Sequence, residues 1–96
     1  MTALRDLLRW LEGHPTARLE LMSGRRPRVV RGGDVKNLAD EILTDDEVLE
    51  LCKQAGAGRR IDELSDRPVT WSYPSAIGPL GVSVSLRGRE VFATLA

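Results

Sequence analysis

The stretch Ala17–Val35, ARLELMSGRRPRVVRGGDV, decides the fold that this sequence predicts. Leu19 and Leu21 alternate with polar neighbours, which is the pattern of a half-buried strand. Arg28–Arg31 predicts a second short strand, and Gly32–Asp34 predicts a turn in which glycine can adopt positive φ. We therefore expect two neighbouring strands that pair through the short connection between them.

Two helices are predicted around this pair of strands. Residues Ala3–Glu12 predict an amphipathic helix that begins at the N-cap Thr2 and stops at Gly13, before Pro15. Its leucines recur at the spacing of one helical face, at Leu4, Leu7, Leu8 and Leu11.

The second predicted helix begins with the capping box Thr44–Glu47 and runs to about Ala55, before Gly56. A capping box explains the acidic run at its start better than a metal site, because the spacing of a calcium loop is absent. A further helical turn is expected within Arg59–Leu64.

The C-terminal third predicts β structure. Val69–Tyr73 alternates as a strand, Pro74–Pro79 is expected to be a loop, and Leu80–Leu86 alternates again. A tight turn at Arg87-Gly88 leads into the last strand, Val91–Leu95. We therefore predict one α+β domain over residues 1–96, with a mainly antiparallel sheet of about five strands and helices on one face.

Size and composition restrict the function. The chain has 96 residues, a formal net charge of zero, one cysteine and one histidine. A balanced charge gives no support for nucleic-acid binding. Because Cys52 and His14 lack partner bases or ligands in the pattern, we predict a buried, reduced thiol and no catalytic site, metal or cofactor. No apolar run reaches about 18 residues, so we expect an intracellular, cytoplasmic domain without membrane insertion.

Two groups of residues are candidate partner contacts. The first is a basic group, which suits an acidic partner but is also compatible with a solvated loop and a charge-protected strand edge; it comprises Arg25, Arg26, Arg28 and Arg31. The second is a set of small hydroxyl residues on the outward side of the late strands, where only Arg87 interrupts the pattern. They suit close packing on another surface, but they are acceptable on any exposed strand; they are Thr70, Ser72, Ser83, Ser85 and Thr94.

Trp10 lies beside the leucine stripe of the first helix. Its position fits the edge of the core, and an anchor for a partner is the other interpretation, because amphipathic aromatic residues are frequent at interfaces.

The opening stretch resembles the N-terminal domain of type IV pilus retraction motors and related secretion ATPases. In that family a strand such as SDLHL precedes a glycine, a proline, an apolar strand and D-G-D/E-V. The counterparts in this chain are Ala17–Leu21, Gly24, Pro27, Val29-Val30 and Gly33–Val35. The family segments L-T-x-E-x-V and V-F-R are similar to Leu43–Val48 and Val91–Leu95.

This resemblance implies a PAS-like domain without its motor, because no G-x-x-x-x-G-K-[ST] phosphate loop occurs in the chain. In the family, arginines of the last two strands reach toward nucleotide, and the positions that match them are Gly81, Ser83 and Ala93. We therefore expect no ATPase activity. Ala96 falls about where the family's linker to the motor begins, so an excised domain and a free-standing one both stay open.

The function expected from the resemblance is that of a non-catalytic interaction or regulatory domain in bacterial pilus motility or secretion. It would dock on a motor, on another copy of itself or on a cytoplasmic assembly factor. The alternative is a PAS-like sensor that holds a nucleotide or cyclic dinucleotide between sheet and helices. The apolar inward residues of the predicted strands favour the first reading, with Trp71 and Tyr73 as exceptions.

Overall fold

Six antiparallel strands form one sheet, and two short α-helices lie against one of its faces. The computed structural model describes residues 3–14 and 16–96. The helices are α1 (Leu4–Leu8) and α2 (Asp45–Gln54), and 3₁₀ turns follow them at Arg9–Leu11 and Gly58–Ile61. The strands are β1 (Arg18–Met22), β2 (Arg28–Arg31), β3 (Asp34–Asn37), β4 (Val69–Ser75), β5 (Gly78–Arg87) and β6 (Glu90–Leu95).

The strand order across the sheet is β3-β2-β1-β6-β5-β4, which places the first and last strands of the chain side by side at its centre. Leu19 lies opposite Val29 on one side and Leu95 on the other. Directly opposed residues of antiparallel strands share a face, so these apolar side chains form a continuous inner face. α2 packs on that face over β6 and β1.

The inner face matches the alternation that the sequence predicts. Val82 and Val84 are buried, Ser83 and Ser85 point to the other side, and the register is therefore as expected. The leucine stripe of α1 and the turn after it is also buried. The core includes Leu4, Leu7, Leu8, Leu11, Leu19, Leu21, Val29, Val48, Leu51, Val82, Val84, Val91, Ala93 and Leu95.

The prediction of about five strands was wrong, because β3 is a sixth strand that follows the turn Gly32-Gly33 directly. The sequence prediction placed Asp34 in that turn, whereas Asp34 begins the strand. All four residues of β3 are exposed, and Val35 is its only apolar member. A strand with neither face buried leaves no alternation of apolar and polar residues to read.

The predicted loop Pro74–Pro79 was also wrong, because β4 and β5 continue through both prolines to a two-residue turn at Ala76-Ile77. Pro74 lies opposite Pro79 in this hairpin. β4 is an edge strand, and proline is tolerated there when the position of its missing N–H faces away from the sheet.

The first helix is shorter than the predicted Ala3–Glu12, since α-helical geometry ends at Leu8 and the chain tightens into a 3₁₀ turn. The Glu12 N–H donates to the Arg9 carbonyl, and such three-residue spacing is common where a helix ends. Gly13 then adopts positive φ, as expected of a stop signal. The predicted cap Thr2 and the following breaker Pro15 lie outside the described residues.

The second helix and its capping box are confirmed. The Glu47 N–H donates to Thr44 Oγ1, and the Thr44 N–H donates to a Glu47 carboxylate oxygen, both at 3.2 Å. Cys52 is buried on the inner face of this helix, and burial raises the pKa of its thiol to about 11. A thiol with that pKa stays protonated at neutral pH, which fits the inert role that the sequence predicts.

Candidate interaction surface

The sheet has a second face, opposite α1 and α2, which is called the outer face below. Because opposed residues share a face, the register defines a row that crosses all six strands on this side. From one edge to the other, the row is Thr70, Ser83, Thr94, Glu20, Arg28 and Asn37. One half therefore carries hydroxyl groups, whereas the other half carries two charged residues and the neutral amide of Asn37.

The hydroxyl face lies on β4, β5 and β6 and consists of Thr70, Ser72, Ser83, Ser85 and Thr94. Thr70 and Ser72 are exposed on the edge strand, whereas the other three are half-buried among neighbouring strands. The structure thus brings these predicted contact residues together on one side of the sheet. Short side chains leave the strands accessible to close approach by a flat partner surface.

Two apolar residues of the outer face were not predicted as partner contacts from the sequence. Phe92 and Met22 lie opposite each other on β6 and β1, and Ser85 lies on the other side of Phe92. The Arg87 guanidinium carbon is 3.8 Å from the centroid of the Phe92 ring, a cation–π contact. The alternation of Phe92 with buried Val91 and Ala93 is the sequence signal that would have placed it on this face.

Glu20 is the centre of the charged half. Although it faces away from the helices, only 6% of its surface is exposed, because two arginines lie over it. The Arg18 Nε donates to Glu20 Oε2 at 2.8 Å, and the Arg28 Nε donates to Glu20 Oε1 at 2.7 Å. Each carboxylate oxygen therefore has its own guanidinium partner, and this cluster of three residues is called the Glu20 triad.

The electrostatics of the triad favour the ionised carboxylate. Burial alone would raise the pKa of Glu20, but the hydrogen bonds from Arg18 and Arg28, together with their charges, hold it below the ordinary value. A lowered pKa in the folded state stabilises the fold at any pH above the unfolded pKa. That contribution is lost as the pH falls through the folded pKa.

Glu20→Gln is expected to lower the free energy of unfolding by about 1 kcal/mol at pH 7, since a charged acceptor becomes neutral while the arginines stay partly solvated. As the pH is lowered from 7 toward 3, the wild-type carboxylate takes up its proton at a pKa below the ordinary value, so the difference between the two proteins should shrink. Urea unfolding at both pH values measures this. Glu50→Gln, at an exposed position of α2, is the control and should show little difference at either pH. An equal deficit for Glu20→Gln at pH 7 and pH 3 would contradict the electrostatic role.

The four predicted arginines do not form one patch. Arg28 belongs to the Glu20 triad, and Arg31 lies at the helical side of β2. Arg25 and Arg26 are exposed in the connection between β1 and β2, and this pair is called the arginine turn. The Arg26 Nε donates to the Asp40 carbonyl at 3.0 Å, which ties the turn to the segment before α2.

The arginine turn borders a shallow groove of about 280 Å³. Its lining comprises Gly24, Arg25, Arg26, Arg28, Asn37 and Ile42. Ile42 is 59% exposed, which makes it one of the most exposed large apolar side chains among the described residues. The groove thus combines cationic side chains with an apolar contact point.

Trp10, the predicted core edge or partner anchor, is half-buried beneath two cations. The Lys36 ammonium lies 4.0 Å from its ring centroid, and the Arg31 guanidinium lies 5.7 Å away while donating to the Trp10 carbonyl. These contacts cover the indole from the side of β2 and β3. The core-edge interpretation fits this geometry better than an open anchor does.

A second groove, of about 450 Å³, lies between α1 and the β4–β5 hairpin. Tyr73 and Gln54 contribute polar groups to it, and the Gln54 side-chain oxygen accepts a hydrogen bond from the Leu4 N–H at 2.8 Å. The other inward aromatic residue, Trp71, donates its indole N–H to the Ala55 carbonyl at 2.8 Å. Trp71 therefore has its hydrogen-bond partner at the end of α2.

In the part of the chain that the structure describes, no helix is long and apolar enough to cross a membrane.

No protein-family model and no curated protein matches the sequence. Solved structures that share its fold include the following two. The pilus retraction motor PilT with bound ADP has a TM-score of 0.77 at 19% identity, over 99% of this chain and 29% of that one. The ATPase DotB of Legionella pneumophila has a TM-score of 0.67 at 14% identity, over 96% of this chain and 27% of that one.

The resemblance to pilus and secretion ATPases that the sequence predicts is therefore confirmed at the level of the fold. The chain spans less than a third of the length of each of these two proteins.

Proposed function

We propose that the chain is a non-catalytic interaction or regulatory domain, similar to the PAS-like N-terminal domain of pilus retraction and secretion ATPases. It docks on a motor, on another copy of itself or on a cytoplasmic assembly factor of a bacterial pilus or secretion system. The observation that carries the proposal is the outer face, a sheet surface that neither α-helix covers and that carries small hydroxyl groups beside Phe92. The fold shared with PilT and DotB supports the choice of system.

The composition of the hydroxyl face favours docking over simple solvation. Solvated strands usually carry long charged side chains, which keep other proteins at a distance. At the corresponding positions of the hydroxyl face this chain has Ser83, Ser85 and Thr94. A partner can approach these three residues closely without desolvating a charge on them, and Arg87 over Phe92 is the cation that borders them. Phe92 and Met22 add an apolar contact beside the hydroxyl groups, and aromatic residues with methionine are enriched at interfaces.

The arginine turn is the second proposed docking surface, and its partner is acidic. Two exposed guanidinium groups can each form a bidentate pair with a carboxylate, and Ile42 beside them offers an apolar contact. A contact of this kind weakens as salt rises, because exposed charges are screened beyond about 8 Å at physiological ionic strength.

Arg25→Glu plus Arg26→Glu is expected to abolish binding of an acidic partner and to remove the salt dependence of capture. The measurement is recovery of partners from lysate by the immobilised chain between low and high salt. Arg59→Glu plus Arg67→Glu, two exposed arginines elsewhere in the chain, is the matched control for the change in net charge. Equal loss of binding in both variants would assign the effect to bulk charge rather than to the arginine turn.

The non-catalytic part of the proposal predicts that the purified chain does not hydrolyse ATP. Phosphoryl transfer needs a phosphate cradle and a bound metal ion, and the sequence contains no phosphate loop. The measurement is phosphate release across the final purification column. Turnover that co-elutes with the protein and disappears in Arg25→Glu plus Arg26→Glu would contradict the proposal.

A small-ligand sensor is the second candidate, and the groove between α1 and the β4–β5 hairpin favours it. Its volume of about 450 Å³ is within the range of ligand pockets, and Tyr73 supplies a hydroxyl group. Thermal-shift measurements with nucleotides and cyclic dinucleotides separate the two functions. A saturable rise in melting temperature that Tyr73→Phe reduces supports the sensor, whereas an unchanged melting temperature supports docking.

A further inference from the structure

The edge strand β3 presents main-chain groups to solvent at alternate residues. The Leu38 N–H donates to the Pro27 carbonyl at 2.8 Å, which continues the ladder between β3 and β2. The direction of the N–H and C=O groups alternates along a strand. The main-chain groups of Lys36 and Asp34 therefore also point toward β2. The main-chain groups of Val35 and Asn37 therefore point away from the sheet, where an added strand can pair with them.

The centre of this edge is apolar on the outer face. The Val35 side chain is 57% exposed, and it lies opposite Val30 on β2. An exposed valine on an edge strand loses unfavourable contact with water when a second strand covers it.

The flanking charges have opposite signs and share the helical side of the sheet. The Lys36 ammonium group lies 4.0 Å from the centroid of the Trp10 ring, so the Lys36 side chain is on the helical side of the sheet. Asp34 is exposed, and it forms no ion pair with any residue in the described ranges 3–14 and 16–96. The three-residue sequence Asp34-Val35-Lys36 thus places an acid and a base symmetrically about an apolar residue.

We infer that two copies of the chain associate through antiparallel pairing of β3 with β3, about a two-fold axis at Val35. In this register Val35 exchanges two main-chain hydrogen bonds with Val35 of the second copy. Val30 of each copy lies next to its own Val35 on the same face of the sheet. Asp34 of each copy lies directly opposite Lys36 of the other. The two sheets become one continuous sheet of twelve strands, twice the six of one copy.

The charges select this register over its neighbours. A two-fold axis at Lys36 sets the two lysines directly opposite each other, and an axis at Asp34 does the same for the two aspartates. Like charges directly opposite in a sheet are destabilising, whereas opposite charges are stabilising. Only the register centred on Val35 pairs every charge with its opposite, and a self-complementary patch is what a two-fold interface requires.

The opposite edge of the sheet lacks this complementarity. β4 carries Pro74, whose ring occupies the place of an outward N–H, so an added strand loses a hydrogen bond there. The pairing of β3 involves few residues, and the association therefore depends on protein concentration. It uses the sheet edge rather than the hydroxyl face or the arginine turn, so it adds a third surface, specific to a second copy of the chain, to those of the proposed docking function.

Charge reversal tests the pairing by sedimentation equilibrium of the full chain over a range of concentrations. Asp34→Lys alone and Lys36→Asp alone each place like charges opposite one another in both symmetric pairs. Each variant is expected to self-associate at least about tenfold more weakly than the wild type. Mixing the two variants restores opposite charges at every pair, and the mixture should form a heterodimer with near wild-type affinity.

Val35→Pro provides an independent test, because it removes the outward N–H at the centre of the pairing, whereas the ladder to β2 uses the main-chain groups of the neighbouring residues. This variant should remain folded and monomeric. The hydroxyl-face variant Ser83→Lys plus Ser85→Lys should keep the edge association, which separates this inference from the proposed docking surface. A wild type that stays monomeric at millimolar concentration, or a variant mixture that fails to associate, would overturn the inference.

Discussion

Val84→Asp is expected to unfold most of the protein at room temperature. Val84 is fully buried at the centre of β5, and its neighbours across the sheet are Val69 and Ala93. None of these residues offers a side-chain hydrogen-bond donor to a carboxylate. An uncompensated buried charge costs several kcal/mol, and the total stability of a small domain lies toward the lower end of roughly 5–15 kcal/mol, so the loss is comparable with the whole stability of the fold.

The neighbouring substitution Ser83→Asp is the control, because residue 83 faces the opposite side of the same strand. It should cost only about 1 kcal/mol, because Ser83 is half-buried on the outer face and a carboxylate there keeps contact with water. Circular dichroism melting curves compare both variants with the wild type. Cooperative melting of Val84→Asp near the wild-type temperature would contradict the register of β5, since a slip of one residue exchanges the two faces.

Ser83→Lys plus Ser85→Lys is expected to abolish any contact that uses the hydroxyl face, while the domain stays folded. Each lysine holds an approaching surface away from the strand and must lose hydration before the contact can form. The affinity for a partner or for self-association at this face should fall at least about tenfold, with little dependence on salt in the wild type.

A matched control adds the same charge in the loop between the first 3₁₀ turn and β1, with His14→Lys plus Thr16→Lys. Binding curves by fluorescence anisotropy against an isolated partner compare the two double variants. Weakening of similar size in both would assign the effect to net charge and count against the hydroxyl face.

Much of the fold could be predicted because one face of most strands is buried. Leu19, Leu21, Val82 and Val84 alternate with polar residues, and this period of two determines both the strands and their register. The capping box at Thr44 is equally local, since its hydrogen bonds lie within four residues. Features that depend on local pattern were therefore available from the sequence.

Features that depend on pairing across the sheet were not available from the sequence. β3 has no buried face. Pro74 indicates a loop from the sequence, because the sequence does not show that its strand lies at the edge of the sheet. The Glu20 triad joins residues of β1 and β2 through the register, so the sequence could not show that Arg28 neutralises an acid. For the same reason, the four arginines read as one cluster, although the structure places Arg31 on Trp10.

The central proposal, docking through the outer face or the arginine turn, is tested most directly by partner recovery with both double variants in parallel. Wild type, Ser83→Lys plus Ser85→Lys and Arg25→Glu plus Arg26→Glu are immobilised after circular dichroism confirms their folding. We expect at least one variant to lose partners that the wild type captures, with salt sensitivity only where the arginine turn is involved. Two folded variants that keep every wild-type partner would contradict the proposal.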